Sequence, residues 1–221
     1  MPSELRPVVK TMGLARRGSE SVYVGRVGAV EVVAMHAGMG LTLATAAVNR
    51  LLDTENVDHV VVVGIAGGMG SARVGDLVCP REVVDATGRR FAAFPLTDDA
   101  AGTISSSDDF VVDPERVAAL AASGVRAVDM ETAAVAAVCV ERGCDWSAVR
   151  VISDLAVDHP DAAVLGLANP DGSPNARAAL RFMLTHPARI PQLMKLGRDA
   201  GRAAHSAARE AHRQLAALPP V

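Results

Sequence analysis

His59-Val60-Val61-Val62-Val63-Gly64-Ile65-Ala66-Gly67-Gly68-Met69-Gly70 is the stretch that decides the fold. A valine run without polar interruption is the signature of a strand buried on both faces of a sheet, because helices on each side leave no solvent-facing position to alternate. The glycines after it read as a loop leaving the strand end. Upstream, Val22 to Val24 and Val30 to Met35 make a hairpin-like pair around Gly25 and Gly28. Ala37-Gly38-Met39-Gly40 is a second glycine turn, opening onto Leu43 to Leu52 at helical spacing. Downstream, Val74 to Val78, Glu82 to Asp85 and Gly102 to Ser105 are expected strands. Asp113 caps and Pro114 begins a helix running to about Ala122.

Val125 to Val128 and Ala148 to Ile152 are two more expected strands, joined by a helix from Thr132 to Glu141 that stops near Gly143. From Asp154 to Pro174 the chain is rich in Pro, Asp, Asn and Gly and reads as a long loop or lid. Helices within 175–218 close the chain. The last begins near Pro191, aligns Leu193, Leu196, Ala200, Ala203 and Ala207 on one stripe, and ends before Pro219-Pro220. The expected architecture is α/β: three α/β/α layers around a mixed, twisted central sheet, with residues 1–221 as one domain.

Composition narrows the function. Half of the 221 residues are apolar and only 3% aromatic, which suits small side chains packed tightly on a Val-rich sheet. No apolar run reaches the roughly 20 residues of a membrane span. The N-terminus lacks a basic-then-apolar leader, so a cytoplasmic location is expected. Cys79, Cys139 and Cys144 form no metal-ligand or disulfide pattern, and no metal or other cofactor is expected. His205 and His212 share a helix face without further ligands. Residues 177–213 carry eight Arg or Lys against two acids, yet neither an aromatic platform nor a reading motif accompanies them, so nucleic acid is not an expected partner.

Two acidic segments carry the chemistry, Val128-Asp129-Met130-Glu131-Thr132-Ala133-Ala134 and Val149-Arg150-Val151-Ile152-Ser153-Asp154. Each places carboxylates where an apolar strand ends, the edge at which open α/β sheets bind ligands. Asp129 reads as a cap for the helix that follows. Asp154, at the same edge after the next strand, is not explained by capping. The glycine run after Val63 does not match the dinucleotide-binding spacing. It fits equally a tight crossover and backbone N–H groups approaching an anion, a sugar or a water.

With these residues in view, the chain resembles the nucleoside phosphorylase and nucleosidase superfamily, above all the methylthioadenosine/S-adenosylhomocysteine nucleosidases. The resemblance runs from Ser3 to about Asp158. It rests on Gly38-Met39-Gly40, on Gly64 to Met69 with Val74 to Val78, on Ser107-Asp108-Asp109-Phe110-Val111, on Asp129 to Ala134, and on Val151-Ile152-Ser153-Asp154, in the family's order and spacing. It implies a purine (adenosine-type) nucleoside cleaved by water at its N-glycosidic bond. Asp154 is then the acid at N7 of the departing base, and Glu4 the acid that activates water. Glu131 grips the ribose hydroxyls with Met130 against the sugar. Phe110 stacks on the base, Val111 meets its edge through the backbone, and Ile65, Ala66 and Gly67 of the glycine run line the substrate. A homo-oligomer, dimer or larger, is implied as well.

The chain also departs from the pattern. Val62 and Ile65 offer neither charge nor hydroxyl for phosphate, which favours hydrolysis, but nucleosidases carry Ser where Ile65 sits. Relatives begin with a short strand before the acid that matches Glu4; here that strand is missing, so either the start lies upstream or Glu4 sits at a frayed terminus. The stretch from Asp85 to Gly102, which in relatives completes a neighbour's pocket, is short. The alternatives are a phosphate-dependent phosphorylase, a nucleosidase for an adenosine conjugate such as an adenosyl hopanoid, and, from another class, a nucleoside-binding protein without turnover.

Overall fold

The computed structural model of the chain describes residues 2–18, 21–109, 113–155, 175, 181–182 and 185–219. The strands pair into a seven-stranded sheet because backbone N–H and C=O groups taken out of water must be placed on a neighbour, and β-strands such as Thr103–Ser106 and most of Asp145–Leu155 are buried on both faces. Its strands are β4 (His59–Gly68), β5 (Leu77–Val78), β6 (Glu82–Asp85), β7 (Arg90–Ala92), β8 (Thr103–Ser106), β9 (Val125–Asp129) and β10 (Asp145–Leu155), in the order β5-β10-β4-β9-β8-β6-β7. β10 runs parallel to β4, while β9 runs antiparallel to β4 and parallel to β8, so the sheet is mixed. A second, antiparallel sheet holds β1 (Ala15–Arg17), β2 (Val22–Val27) and β3 (Val30–Met35).

Helices complete three layers. α2 (Leu41–Thr54) and α4 (Thr132–Arg142) cover one face of the large sheet, where Ala44, Val48, Ala66, Val135, Cys139, Trp146 and Ile152 form the main core. α1 (Pro2–Met12) and α5 (Ile190–Ala216) cover the other, with Val8, Met12, Val149, Ala208 and Leu215 buried between them. α3 (Pro114–Ala122) packs on β9. Its expected start holds: Asp113 accepts from the Glu115 N–H at 3.1 Å, and Pro114 follows. α4 ends where glycine was expected to end it, on Gly143 at φ 67°. Among the described residues, no helix is long and apolar enough to cross a membrane.

Several sequence expectations change. First, Gly64 to Gly68 is strand, not loop: β4 continues to Gly68, matched to β10 with Gly64 opposite Arg150. The glycines are there for close approach, since a Cβ on Gly68 would stand 2.8 Å from Ile152 Cγ2 and 3.0 Å from Leu155 Cδ2. Second, the two acidic segments do not end neighbouring strands at one edge. β4 lies between β9 and β10, and β9 runs against both, so Asp129 ends partway along the sheet. Third, Pro2–Met12 is a helix that sequence patterning did not mark, with Glu4, Pro7, Val8 and Met12 buried at helical spacing. The expected strand at Val74 to Val78 is reduced to Leu77–Val78. The segment read as a lid lies outside the described residues.

Candidate functional site

Arg150 organises the site. It lies mid-strand in β10 with only 3% of its side chain exposed, and a buried guanidinium persists only where carboxylates and carbonyls satisfy it. Room for it comes from Gly64 on the adjacent strand: a Cβ there would sit 2.4 Å from Arg150 Nη1 and 2.2 Å from Glu4 Oε1. Three carboxylates from three elements converge on that space. Asp129, the last residue of β9, stands 2.8 Å from Nη2; Glu131, just ahead of α4, 3.4 Å from Nη2; and Glu4, in the first turn of α1, 3.8 Å from Nη1. Nη2 also donates to Thr132 Oγ1 at 3.1 Å, and Nη1 to the Ile65 carbonyl at 3.4 Å.

Each carboxylate has its own surroundings. Glu4 is buried, and its Oε1 accepts from the Ile65 N–H at 2.9 Å, so it belongs to the packed site and not to a frayed end. Glu131 Oε1 accepts from the Gly40 N–H at 3.2 Å. Gly40 holds φ 92°, a left-handed conformation that glycine adopts without strain, and this aims its N–H at the carboxylate. Asp108 caps the same turn, accepting from the Leu41 N–H at 2.7 Å. Asp129 caps α4 as expected, through the N–H groups of Glu131 and Thr132 at 3.3 and 3.2 Å, and carries the arginine as well.

Electrostatics follows from this crowding. Burial pushes the Glu131 carboxyl above its ordinary range; Asp129 and Glu4 push the same way, against Arg150 and the Gly40 N–H. For Arg150, burial pulls the pKa down, but Asp129, Glu131 and Glu4 outweigh it and hold the guanidinium above its ordinary value. One arginine thus faces more negative charge than it can neutralise.

Asp154 lies on β10 opposite Gly67, just past a register shift after Ile152, and accepts from the Ser153 hydroxyl. Gly67 is bare on that side: a Cβ there would be 3.1 Å from Val128 Cγ2 and 4.0 Å from Asp154 Oδ2. With β4 between them, the backbones of β9 and β10 stand two strand spacings apart, about 10 Å. Along β4, Gly67 opposite Asp154 lies three residues beyond Gly64 opposite Arg150.

The other expected site residues fall as follows. Ile65 turns its side chain toward α5, beside Val63, Ala203 and Ala207, and meets the cluster only through its backbone. A serine hydroxyl pointing the same way would not face the carboxylates. Ala66 is buried in the main core, and Met130 is half-buried between Asp129 and Glu131. Phe110 and Val111 lie outside the described residues. Sequence reasoning missed Arg150, Thr132 and Ser106. The signal for Arg150 was present, since a charged residue inside an apolar strand demands partners.

Known proteins are similar to this chain in sequence and in fold. Residues 1–101 and 98–182 match the model of the phosphorylase superfamily. A 5'-methylthioadenosine/S-adenosylhomocysteine nucleosidase of Geobacillus kaustophilus is 34% identical over 165 residues, which cover 60% of this chain and 70% of the relative. One from Thermotoga maritima is 29% identical over 174 residues, 69% of this chain and 80% of the relative. Among solved structures, the nucleosidase of Neisseria meningitidis in complex with methylthio-immucillin-A superposes with a TM-score of 0.71 at 23% identity, covering 99% of this chain and 96% of its own, a likeness of fold. By the family match and the shared sequence, the chain belongs to the phosphorylase superfamily.

Proposed function

We propose that the chain hydrolyses the N-glycosidic bond of an adenosine-type purine nucleoside and releases the free base. The observation that carries this reading is the convergence of Glu4 of α1 and Glu131 just ahead of α4 on Arg150 beside Gly64 of β4. Glycoside cleavage passes through an oxocarbenium-like state, which needs a proton for the leaving group and a general base for water on the other side. Asp154 holds the proton at N7 of the purine as the C–N electron pair moves onto the base. Glu131 accepts from the ribose hydroxyls, with Met130 against the sugar. Glu4 takes the proton of the water whose oxygen bonds to C1′. Ala66 and Gly67 line the substrate, and Ile65 contributes its N–H to hold Glu4. Phe110 and Val111 keep their stacking and base-edge roles on the strength of the family resemblance.

Water is favoured over phosphate by charge. Three carboxylates share one guanidinium, and a phosphate dianion entering beside them would meet net negative charge. A homo-oligomer in the cytoplasm belongs to the same proposal, and the 58% exposure of Phe94 is consistent with a covering copy. The test is incubation with methylthioadenosine, S-adenosylhomocysteine and adenosine, with and without phosphate. Free adenine is expected in either buffer, together with an unphosphorylated sugar. Adenine released only with phosphate, or none at all, would refute hydrolysis. Asp154→Asn is expected to lower kcat/KM about 100- to 10,000-fold through loss of the proton donor; an unchanged rate would remove Asp154 from its role.

A further inference from the structure

A helix cap needs one oxygen, yet both oxygens of Asp129 are engaged. Oδ1 accepts from the Ser106 hydroxyl and from the N–H groups of Glu131 and Thr132. Oδ2 accepts from the Thr132 hydroxyl and stands 2.8 Å from Arg150 Nη2. Ser106 is itself fixed, accepting from the Ala133 N–H at 3.0 Å. The Thr132 hydroxyl donates to Asp129 while it accepts from Arg150 Nη2 at 3.1 Å, so it bridges the two. Nη2 carries two hydrogens, and its two nearest acceptors are Asp129 and Thr132; Glu131 Oε2, at 3.4 Å, comes third.

We infer that Asp129, with Thr132 as its bridge, is a positioning residue that holds the Arg150 guanidinium back from Glu131 and so leaves Glu131 available to a nucleoside's ribose hydroxyls. This rests on the proposed reading of Glu131 as the sugar-binding carboxylate. Without the Asp129 charge, Glu131 becomes the strongest acceptor within reach of Nη2, and arginine–carboxylate pairs tend to close into a bidentate clasp that would occupy both Glu131 oxygens. The charged groups facing Glu131 are Arg150 on β10, Asp129 on β9 and Glu4 on α1, with Asp108 bonded to the adjoining turn after Gly40. Loss of the Asp129 charge removes a repulsion and lets Arg150 approach. Both changes favour an ionised Glu131.

The experiment is a pH titration of the full chain labelled with 13C at glutamate carboxyls, the Glu131 resonance being assigned by its disappearance in Glu131→Gln. Asp129→Asn, which keeps an oxygen for the cap, is expected to lower the Glu131 midpoint by about one pH unit. It is also expected to lower kcat/KM for methylthioadenosine about 100-fold, with the acid limb of the rate profile moving down in step. Thr132→Val, which removes the bridge and keeps the volume, should move the midpoint the same way by less. An unchanged or raised midpoint in folded Asp129→Asn would overturn the inference and leave Asp129 a cap. If Asp129→Asn does not fold, Thr132→Val decides by the same criterion. If the unmodified protein releases no adenine, the nucleosidase reading falls, while the titration still decides what Asp129 does to Glu131.

Discussion

The middle of strands β4 and β10 and the end where they begin carry similar residues in opposite circumstances. Around Gly64, mid-strand, Arg150 is buried with Glu4, Asp129 and Glu131. Where both strands begin, Glu55, Asp58, Arg142, Cys144 and Asp145 line a surface concavity of about 340 Å³. There Arg142 pairs with Asp53 at 2.8 Å, with 38% and 61% of the two side chains exposed, and Arg17 pairs with Glu55. The same chemical groups behave differently. The Arg17 guanidinium holds the Glu55 carboxyl below its ordinary range, whereas burial pushes Glu131 above it. In water a charge pair is a convenience. Inside the protein it is a constraint, because desolvation leaves each group dependent on its partners.

Removing an arginine from each of the two places should separate them most. Arg150→Met leaves buried carboxylates without a counter-charge and is expected to cost about 3–5 kcal/mol, against less than about 1 kcal/mol for Arg142→Met at the exposed end. Urea unfolding of both variants measures it, and equal losses would erase the distinction between the buried cluster and the exposed end. Glycine gives a smaller contrast. Gly64→Ala drives a methyl into Glu4 and Arg150, with an expected cost of about 1–3 kcal/mol and a collapse of adenine release. Gly143→Ala meets nothing within 4 Å and should cost about 1–2 kcal/mol, from its left-handed backbone alone, with activity retained.

The smallest effect concerns pH. A folded-state pKa raised above the unfolded value near 4.5, as for Glu131, contributes stability present below that value and lost as pH rises through the folded one. Glu131→Gln is therefore expected to stabilise the protein at pH 7, visible as a higher Tm, while it abolishes sugar binding. Glu55, shifted the other way, contributes stability present above 4.5 and lost as pH falls through its lower folded value. Glu55→Gln should then lower Tm slightly at pH 7 and leave activity intact. Thermal melts of both variants from pH 4 to 8 test the opposite signs.

Much of this was legible in the chain. Period-2 and period-3.6 patterns marked the β2–β3 hairpin, the helix opened by Asp113-Pro114, the helix closed by Gly143 and most of the strands. Those elements announce themselves through local rules of capping, turning and alternation. The glycine half of β4 was not legible, because glycine marks both a turn and a close approach, and only the neighbours Arg150, Glu4 and Ile152 decide which. α1 was not marked in the sequence although Glu4, Pro7, Val8 and Met12 lie on one stripe, and its Pro7 is a residue that helix interiors disfavour. Glu4, Asp129, Glu131 and Asp154 were visible as candidates; that the first three meet on one arginine was not.

By itself the sequence determined the inventory: a valine-rich α/β chain, its caps and stops, and carboxylates at the ends of β9 and β10. Short-range sterics and hydrogen bonding suffice for that. Strand order, the reversal of β9 against β4, and the meeting of Glu4 with residues more than 100 positions away were decided only in three dimensions. The physical reason is that a buried charge takes its meaning from what surrounds it. Arg150 is one basic residue among 22 in the sequence, and becomes the centre of the site only where Gly64 leaves room and three carboxylates close around it.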